Sequence, residues 1–123
     1  MTAAGAIDLT EKFAAITEHW RPKVAATLNG QDVRVVKLEG AFPWHSHPEA
    51  DEMFLVWKGR LRLEFRDRTV ELDAGQMFVV PRGVEHRPVA ETEAEVLLFE
   101  PSEVVNTGDA PVSEFTAPVG ATI

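Results

Sequence analysis

The sequence of 123 residues contains neither cysteine nor tyrosine. Without cysteine the protein has no disulfide bond, no zinc site made of thiolates and no thiol nucleophile. The absence of tyrosine removes one common group for acid–base catalysis and hydrogen bonding. Only four histidines are present, so histidine chemistry depends on where His19, His45, His47 and His86 fall.

Positive charge and long apolar segments are also scarce. The chain has 12 basic and 20 acidic residues, which gives a net charge of −8. We therefore expect neither nucleic acid nor an anionic membrane as a partner, because both select basic surfaces. The longest apolar run, Met53–Trp57, is far shorter than the roughly 20 residues of a membrane span. The first residues do not resemble a secretory signal, so we expect a cytoplasmic location.

The length favours a single domain, in which we distinguish three segments. Residues 1–22 are expected to form a helical arm, residues 23–102 a β-rich body and residues 103–123 a C-terminal extension. Asp8 is a typical N-cap residue, and the apolar spacing after it predicts a short helix that ends before Arg21. The extension is either loosely held or a strand lent to a partner.

The apolar pattern changes to a period of two after residue 22, which predicts β-strands. Asn29-Gly30 predicts a tight turn between strands at Val24–Leu28 and Asp32–Leu38. Gly40–Ala50 is a loop or a bent strand. Further strands are predicted at Met53–Trp57, Leu61–Phe65, Thr69–Leu72, Met77–Val80 and Val96–Phe99. Many short strands at near-regular spacing are typical of a sandwich or barrel, so we predict an all-β fold with one small helix.

Two of these strands, Met53–Trp57 and Val96–Phe99, are apolar without alternation, so both of their faces need cover. One interpretation is that they are central strands buried by their own chain. In the other, the N-terminal helix or a partner subunit covers one face. On this basis we predict a homodimer.

The histidine spacing predicts a metal site. His45 and His47 are separated by one residue, so on a strand their side chains project from one face, whereas on a helix they would point about 200° apart. His86 supplies a third imidazole after the turn signals of Pro81 and Gly83. Three imidazoles and a carboxylate suit a divalent transition metal.

The residues alone do not identify the carboxylate, because Glu49, Asp51 and Glu52 all lie near the histidines. Strand parity from His47 favours Glu49 or Asp51. Glu52 requires that the chain bulges or turns a corner after Pro48.

The spacing of the glycines, the proline, the histidines and Glu52 resembles the two sequence motifs of the cupin superfamily. The matching stretches are Gly40-x4-His45-x-His47-x4-Glu52-x6-Gly59 and Gly75-x5-Pro81-x-Gly83-x2-His86. The resemblance implies a small double-stranded β-helix (jelly-roll) barrel with a short N-terminal helix. It also implies that the metal is held by His45, His47, Glu52 and His86. The sequence departs from the pattern in the Gly40–His45 spacing, which is shorter than usual, and at Ala90, where an asparagine is usual.

The resemblance and the residues together favour a metalloenzyme that acts on a small organic molecule. The leading hypothesis is a dioxygenase-type oxidoreductase. A metal-dependent isomerase or lyase is one alternative, and a non-catalytic module that binds a small ligand or senses a metal is another. The expected cofactor is a divalent transition metal: Fe, Mn, Zn or Ni.

The residues expected to line the pocket are mostly apolar: Phe42, Trp44, Phe54, Val56 and Phe78. Between residues 38 and 100, Lys58 is the only lysine. Because a phosphate group needs several cations, this scarcity disfavours a sugar-phosphate substrate. Arg82 and Arg87 are either surface arginines or anchors for a substrate carboxylate. His19 is expected to be an ordinary surface histidine.

Overall fold

The computed structural model describes residues 5–123. Within this range one short helix, α1, precedes seven strands, β1–β7, that pair antiparallel. Their bounds are α1 Leu9–Ala14, β1 Lys23–Leu28, β2 Gln31–Ala41, β3 Glu52–Lys58, β4 Arg60–Phe65, β5 Thr69–Asp73, β6 Met77–Val80 and β7 His86–Pro101. The predicted all-β jelly-roll fold with one small helix is confirmed. Among the described residues, no helix is long and apolar enough to cross a membrane.

β7 is the strand around which the barrel is built. It pairs with β2 along most of its length, with β4 through its first residues and with β3 through its later ones. This long strand carries His86 at its start, directly opposite His45. The sequence predicted only Val96–Phe99 of it, because Pro88 and the polar run Glu91-Thr92-Glu93 hide the alternation.

α1 begins where the sequence predicts and ends earlier. The Asp8 carboxylate accepts hydrogen bonds from the backbone N–H groups of Thr10 (2.9 Å) and Glu11 (3.3 Å), as an N-cap does. The helix ends at Ala14, which is before Arg21 as predicted but several residues short of it.

Tertiary packing explains the early end of α1. Phe13 and Ile16 pack against the buried Val35 of β2, so a short helix is enough to cover this part of the sheet. The chain then bends back onto β2. There Trp20, with a φ of 65°, donates its backbone N–H to the carbonyl of Lys37 (2.9 Å).

The turn predicted at Asn29-Gly30 joins β1 to β2. Both residues have positive φ, 50° and 75°, which matches the type I′ turn that fits the twist of a hairpin.

The segment after β7 folds back on its own chain. The backbone N–H of Val24 in β1 donates to the carbonyl of Ala121 (2.7 Å), and that of Ile123 donates to the carbonyl of Val24 (3.2 Å). The end of the chain therefore lies along the outer edge of β1. Cover of this kind keeps an edge strand from pairing with another chain.

The inner and outer faces of the barrel differ. Inside, an apolar core surrounds the fully buried Val56, Leu61, Leu63 and Val96. Outside, the strand register aligns apolar side chains in two rows, one across β6, β3, β7 and β2 and the other across β6, β3 and β7. We call these residues the outer apolar face: Val79, Met53, Phe99 and Val33 in one row, and Met77, Leu55 and Leu97 in the other. Its most exposed members are Met77 and Val79, at 51% and 46% exposure.

Candidate metal centre

Four side chains meet in the interior beside the apolar core, and we call them the histidine group: His45, His47, Glu52 and His86. One nitrogen or carboxylate oxygen from each lies within 4.8 Å of the others. All four side chains are at most 5% exposed. This group could hold a metal ion.

Backbone hydrogen bonds hold the two motifs together. The His45 N–H donates to the His86 carbonyl (3.0 Å), and the His86 N–H donates back to the His45 carbonyl (2.9 Å). The Gly83 N–H donates to the carbonyl of His47 (3.0 Å). The segment between β2 and β3 is therefore fixed against the start of β7, which brings the three imidazoles to one place.

The structure places Glu52, and neither Glu49 nor Asp51, beside the histidines. The chain turns a corner after Pro48, so the strand parity that favoured the other two acids does not apply. Glu49 is exposed. Asp51 points away from the site, and its carboxylate accepts a hydrogen bond from the backbone N–H of Arg82 (2.8 Å).

Two carbonyl groups set the protonation of the imidazoles. Nδ1 of His45 lies 2.9 Å from the Pro43 carbonyl oxygen, and Nδ1 of His86 lies 2.9 Å from that of Val84. A carbonyl can only accept, so each Nδ1 carries the proton. In the neutral ring, Nε2 then keeps a free lone pair, as a metal ligand requires.

Three buried atoms of the histidine group lack a hydrogen-bond partner: Nε2 of His47, Nε2 of His86 and Oε1 of Glu52. Oε1 lies 3.2 Å from Nε2 of His47 and 3.4 Å from Nε2 of His86, but these contacts lack the alignment of a hydrogen bond. Buried polar atoms are nearly always satisfied. A cation between them would satisfy all three, so the residues present fit a divalent metal.

Electrostatics favour the protonation states that a metal needs. Burial, assisted by the neighbouring His86, lowers the pKa of His45 to about 4, so its ring is neutral at pH 7. Burial opposes the charge on Glu52, but the adjacent carboxyl group of Glu100 and contacts with His47 and His86 outweigh it. The pKa of Glu52 therefore lies well below its usual range.

A second buried group, the arginine cluster, lies beside the first and consists of Arg34, Asp32 and Glu100. Arg34 donates to Asp32 (3.2 Å), to Glu100 (3.0 Å) and to the carbonyls of Ser102 (2.9 Å) and Val104 (2.8 Å). The sequence analysis missed this cluster. Its signal was a pair of charged residues, Asp32 and Arg34, on the inward face of an otherwise apolar strand.

The two groups meet at Glu100. Burial and the nearby charge of Glu52 raise the pKa of Glu100 well above its usual range. Two adjacent carboxyl groups in the interior share one proton, and Glu100 keeps it. Glu52 then stays ionised beside a neutral Glu100.

The C-terminal segment also reaches the site, which the sequence analysis did not predict. Asp109 accepts hydrogen bonds from the backbone N–H (2.7 Å) and the hydroxyl (2.9 Å) of Ser46, the residue between His45 and His47. A side chain at Gly108 would collide with the Ser46 carbonyl. A glycine and an aspartate in an irregular tail carry no sequence signal of this role.

A cavity of about 30 Å³ opens at His45 and Glu52. Of the predicted wall residues, Phe42 and Phe54 line it. Val56 is plain core, Phe78 packs against Phe65, and Trp44 lies outside, under the guanidinium of Arg66.

The remaining candidates lie at the surface. Arg87 pairs with Glu64 (2.6 Å), and Arg82 is mostly exposed near Asp51. His19 forms a surface contact with Glu93 (2.7 Å), as expected of an ordinary surface histidine.

Comparison with known proteins agrees with this geometry. Residues 32–102, more than half of the chain, match the family model described as a cupin domain. A cupin-2 domain containing protein from Shewanella frigidimarina NCIMB 400 is 43% identical, with a TM-score of 0.76 over 77% of this chain and 93% of that one. A protein from Neisseria meningitidis is 33% identical, with a TM-score of 0.73 over 80% of this chain and 100% of that one.

Among curated sequences, the uncharacterized protein YdbB of Bacillus subtilis (strain 168) is 38% identical over 61 residues, which is 49% of this chain and 54% of that protein. This chain spans between 32% and 54% of the length of the curated relatives that it matches. The domain match and the two similar structures establish that the chain belongs to the cupin family.

Proposed function

We propose that this protein is a metalloenzyme that acts on a small organic molecule, with dioxygenase-type oxidation as its chemistry. The proposal assigns His45, His47, Glu52 and His86 as the ligands of one divalent transition metal. The observation that carries it is the set of three buried, unpartnered ligand atoms that face one another. Iron is the proposed metal, because imidazole and carboxylate ligands suit it and it supplies the redox chemistry that side chains lack.

The residues around the proposed metal orient its ligands and keep them in the protonation states that binding requires. The carbonyls of Pro43 and Val84 hold the rings of His45 and His86 in one tautomer. Burial and the nearby charge of Glu52 keep Glu100 protonated, so the proposed ligand Glu52 stays ionised beside a neutral carboxyl group.

The residues around the cavity favour oxidation over isomerisation. An isomerase or lyase needs a side chain that takes up or delivers a proton at the substrate. Among the described residues that line the cavity, His45 and Glu52 are the only titratable ones, and both are proposed ligands. A chemistry whose electrons come from the metal does not need a further acid or base on the wall.

Metal binding is tested with matched alanine variants. The purified protein should take up one Fe²⁺ per chain, measured by elemental analysis after gel filtration. His47→Ala and His86→Ala should lose stoichiometric binding, because each removes a buried ligand atom. Asp51→Ala should retain it, because the Asp51 carboxylate faces Arg82. Loss of metal in Asp51→Ala with retention in Glu52→Ala would show that the ligand assignment is wrong.

Measurement of oxygen uptake then distinguishes an oxidoreductase from an isomerase, a lyase or a non-catalytic module. The iron form should consume oxygen in the presence of a substrate from a panel of small organic molecules, and His86→Ala should not. Tightly held zinc without oxygen uptake would favour an isomerase, a lyase or a non-catalytic module.

We also propose that the outer apolar face mediates a homodimer. Its side chains form a continuous apolar surface across neighbouring strands, and contiguous exposed apolar surface is typical of protein interfaces. Light scattering at micromolar concentration should give twice the chain mass. Leu55→Lys should give monomers, because it buries a charge at the centre of the interface. Thr27→Lys, at an exposed position of β1, should leave the dimer intact.

A further inference from the structure

We propose that the cavity selects a small, mostly apolar ligand that bears no charge beyond the one or two oxygen atoms that reach the metal. This inference rests on the proposed function, because the metal holds the polar end of the ligand. It adds the substrate class: sugar phosphates, polyols and molecules with a second carboxylate are excluded.

The wall of the cavity is apolar on its strand side. Val36 and Leu38 of β2, Phe54 of β3 and Leu98 of β7 line it, and all four are at most 5% exposed. A hydrocarbon group there exchanges water for apolar contacts, which favours binding in proportion to the area buried.

The polar groups near this wall are already occupied. Asn106 donates to the carbonyls of Phe115 (2.8 Å) and Trp20 (3.3 Å), and its side-chain oxygen accepts from the Ala117 N–H (2.9 Å). The indole N–H of Trp20 donates to the carbonyl of Glu39 (2.9 Å). A hydroxyl-rich ligand would lose its bonds to water and gain none from these groups.

Cations are absent from the cavity wall within the described residues. The guanidinium of Arg34 is buried nearby, but its donors are used by the arginine cluster and two carbonyls. Arg87 pairs with Glu64 on the outside of the barrel. A carboxylate or phosphate remote from the metal would be desolvated without a partner, which is strongly unfavourable.

The size of the cavity sets a further limit. Its volume of about 30 Å³ holds on the order of two waters. Trp20 and Phe42 line the cavity with their rings stacked at 4.8 Å, and Phe115 packs against both. A ligand of a few carbon atoms exceeds the cavity volume, so it binds only if a lining side chain moves aside.

The test compares ligands with one metal-binding end and different tails. Butyrohydroxamic acid and succinic monohydroxamic acid share a bidentate oxygen end and a chain length, but the tail ends in a methyl group in one and a carboxylate in the other. On the Ni²⁺-loaded protein, calorimetry should show butyrohydroxamic acid binding at least ten-fold more tightly. It should also bind roughly ten-fold more tightly than acetohydroxamic acid, because two more CH₂ groups are buried. Equal or tighter binding of the succinic compound overturns the proposal.

A matched pair of variants tests whether the ligand contacts the apolar wall of the cavity. Val36→Thr places a hydroxyl on the wall without changing its shape and should weaken butyrohydroxamic acid several-fold. Val112→Thr, the same substitution at an exposed position that does not line the cavity, should leave the affinity unchanged. Equal effects of the two variants, with unchanged melting temperatures, would show that the ligand does not contact this wall.

Metal analysis of the same samples tests the proposed function separately, because protein that takes up no metal contradicts that function but not the apolar character of the cavity. In metal-free protein, saturation-transfer NMR with butyramide and butyrate repeats the comparison of an uncharged with a charged ligand. A stronger signal from butyramide supports the apolar, uncharged class, and a stronger signal from butyrate overturns it.

Discussion

The histidine group and the arginine cluster are buried side by side, yet their polar atoms are satisfied to different degrees. Arg34 has a partner for each donor group, supplied by two carboxylates and two carbonyls. In the histidine group three atoms that face one another have none. The two groups are therefore equally buried but differ in how many of their polar atoms have a hydrogen-bond partner.

This difference separates a structural charge cluster from a ligand site. In the arginine cluster the protein itself supplies a partner for every donor of Arg34, and a single acceptor, Oε2 of Glu100, lacks one. The histidine group is complete only with a cation, because its lone pairs point at one another and each carries partial negative charge. To recognise a ligand site, the number of buried charged groups is therefore less informative than the number of hydrogen-bond partners that each group has.

The largest expected effect comes from breaking the arginine cluster. Arg34→Met keeps a long side chain but leaves the buried Asp32 carboxylate without its counter-charge and Glu100 without its donor. It should lower the free energy of unfolding by about 3–5 kcal/mol, with or without metal, as measured by urea denaturation. Arg62→Met, which removes a partly exposed arginine paired with Glu64 and Glu91, should change it by less than about 1 kcal/mol. Equal losses in the two variants would contradict the contrast.

The next largest effect concerns the histidine group and appears as a pH dependence of the stability of the metal-free protein. The pKa of His45 is about 4 in the folded state because of burial and the neighbouring His86, against 6.5 for an unperturbed histidine. Between these values the unfolded chain binds a proton that the folded chain does not. The contribution of His45 to the free energy of unfolding is therefore largest above pH 6.5. It falls as the pH decreases toward 4 and does not change further below pH 4.

The loss amounts to about 3 kcal/mol over this range. His45→Gln should lack this component, so urea denaturation at pH 7 and pH 4 should show a smaller loss for the variant than for the wild type. The same loss in both proteins would assign the acid sensitivity to other groups.

Sequence patterns predicted much of the fold because they report local chemistry. The Asp8 cap, the Asn29-Gly30 turn and the strand Met77–Val80 depend on residues near in sequence, and each was predicted. The end of α1 and the full length of β7 depend on what packs against them, and there the predictions were imprecise or incomplete. Tertiary contacts, which a single sequence does not reveal, decide such boundaries.

The candidate site divides in the same way. The histidine spacing is local, and it indicated His45 and His47 directly. The approach of Glu52 depends on a corner in the chain, so parity favoured the wrong acids and only the family resemblance indicated Glu52. The roles of Glu100 and Asp109 follow from contacts across strands and from the tail, which motif spacing does not encode.

The smallest expected effect tests whether the tail supports one buried group more than the other. The tail carbonyl of Val104 serves the arginine cluster, whereas Asp109 holds Ser46 between two proposed ligands. Asp109→Ala should lower metal affinity about ten-fold, because outer contacts orient metal ligands. It should cost stability of only about 1 kcal/mol, the net value of a hydrogen bond. Glu114→Ala, elsewhere in the tail, should change neither quantity when both are measured by metal titration and urea denaturation. If Asp109→Ala lowers stability and leaves metal affinity unchanged, the tail acts on the barrel as a whole, and the histidine group is organised without it.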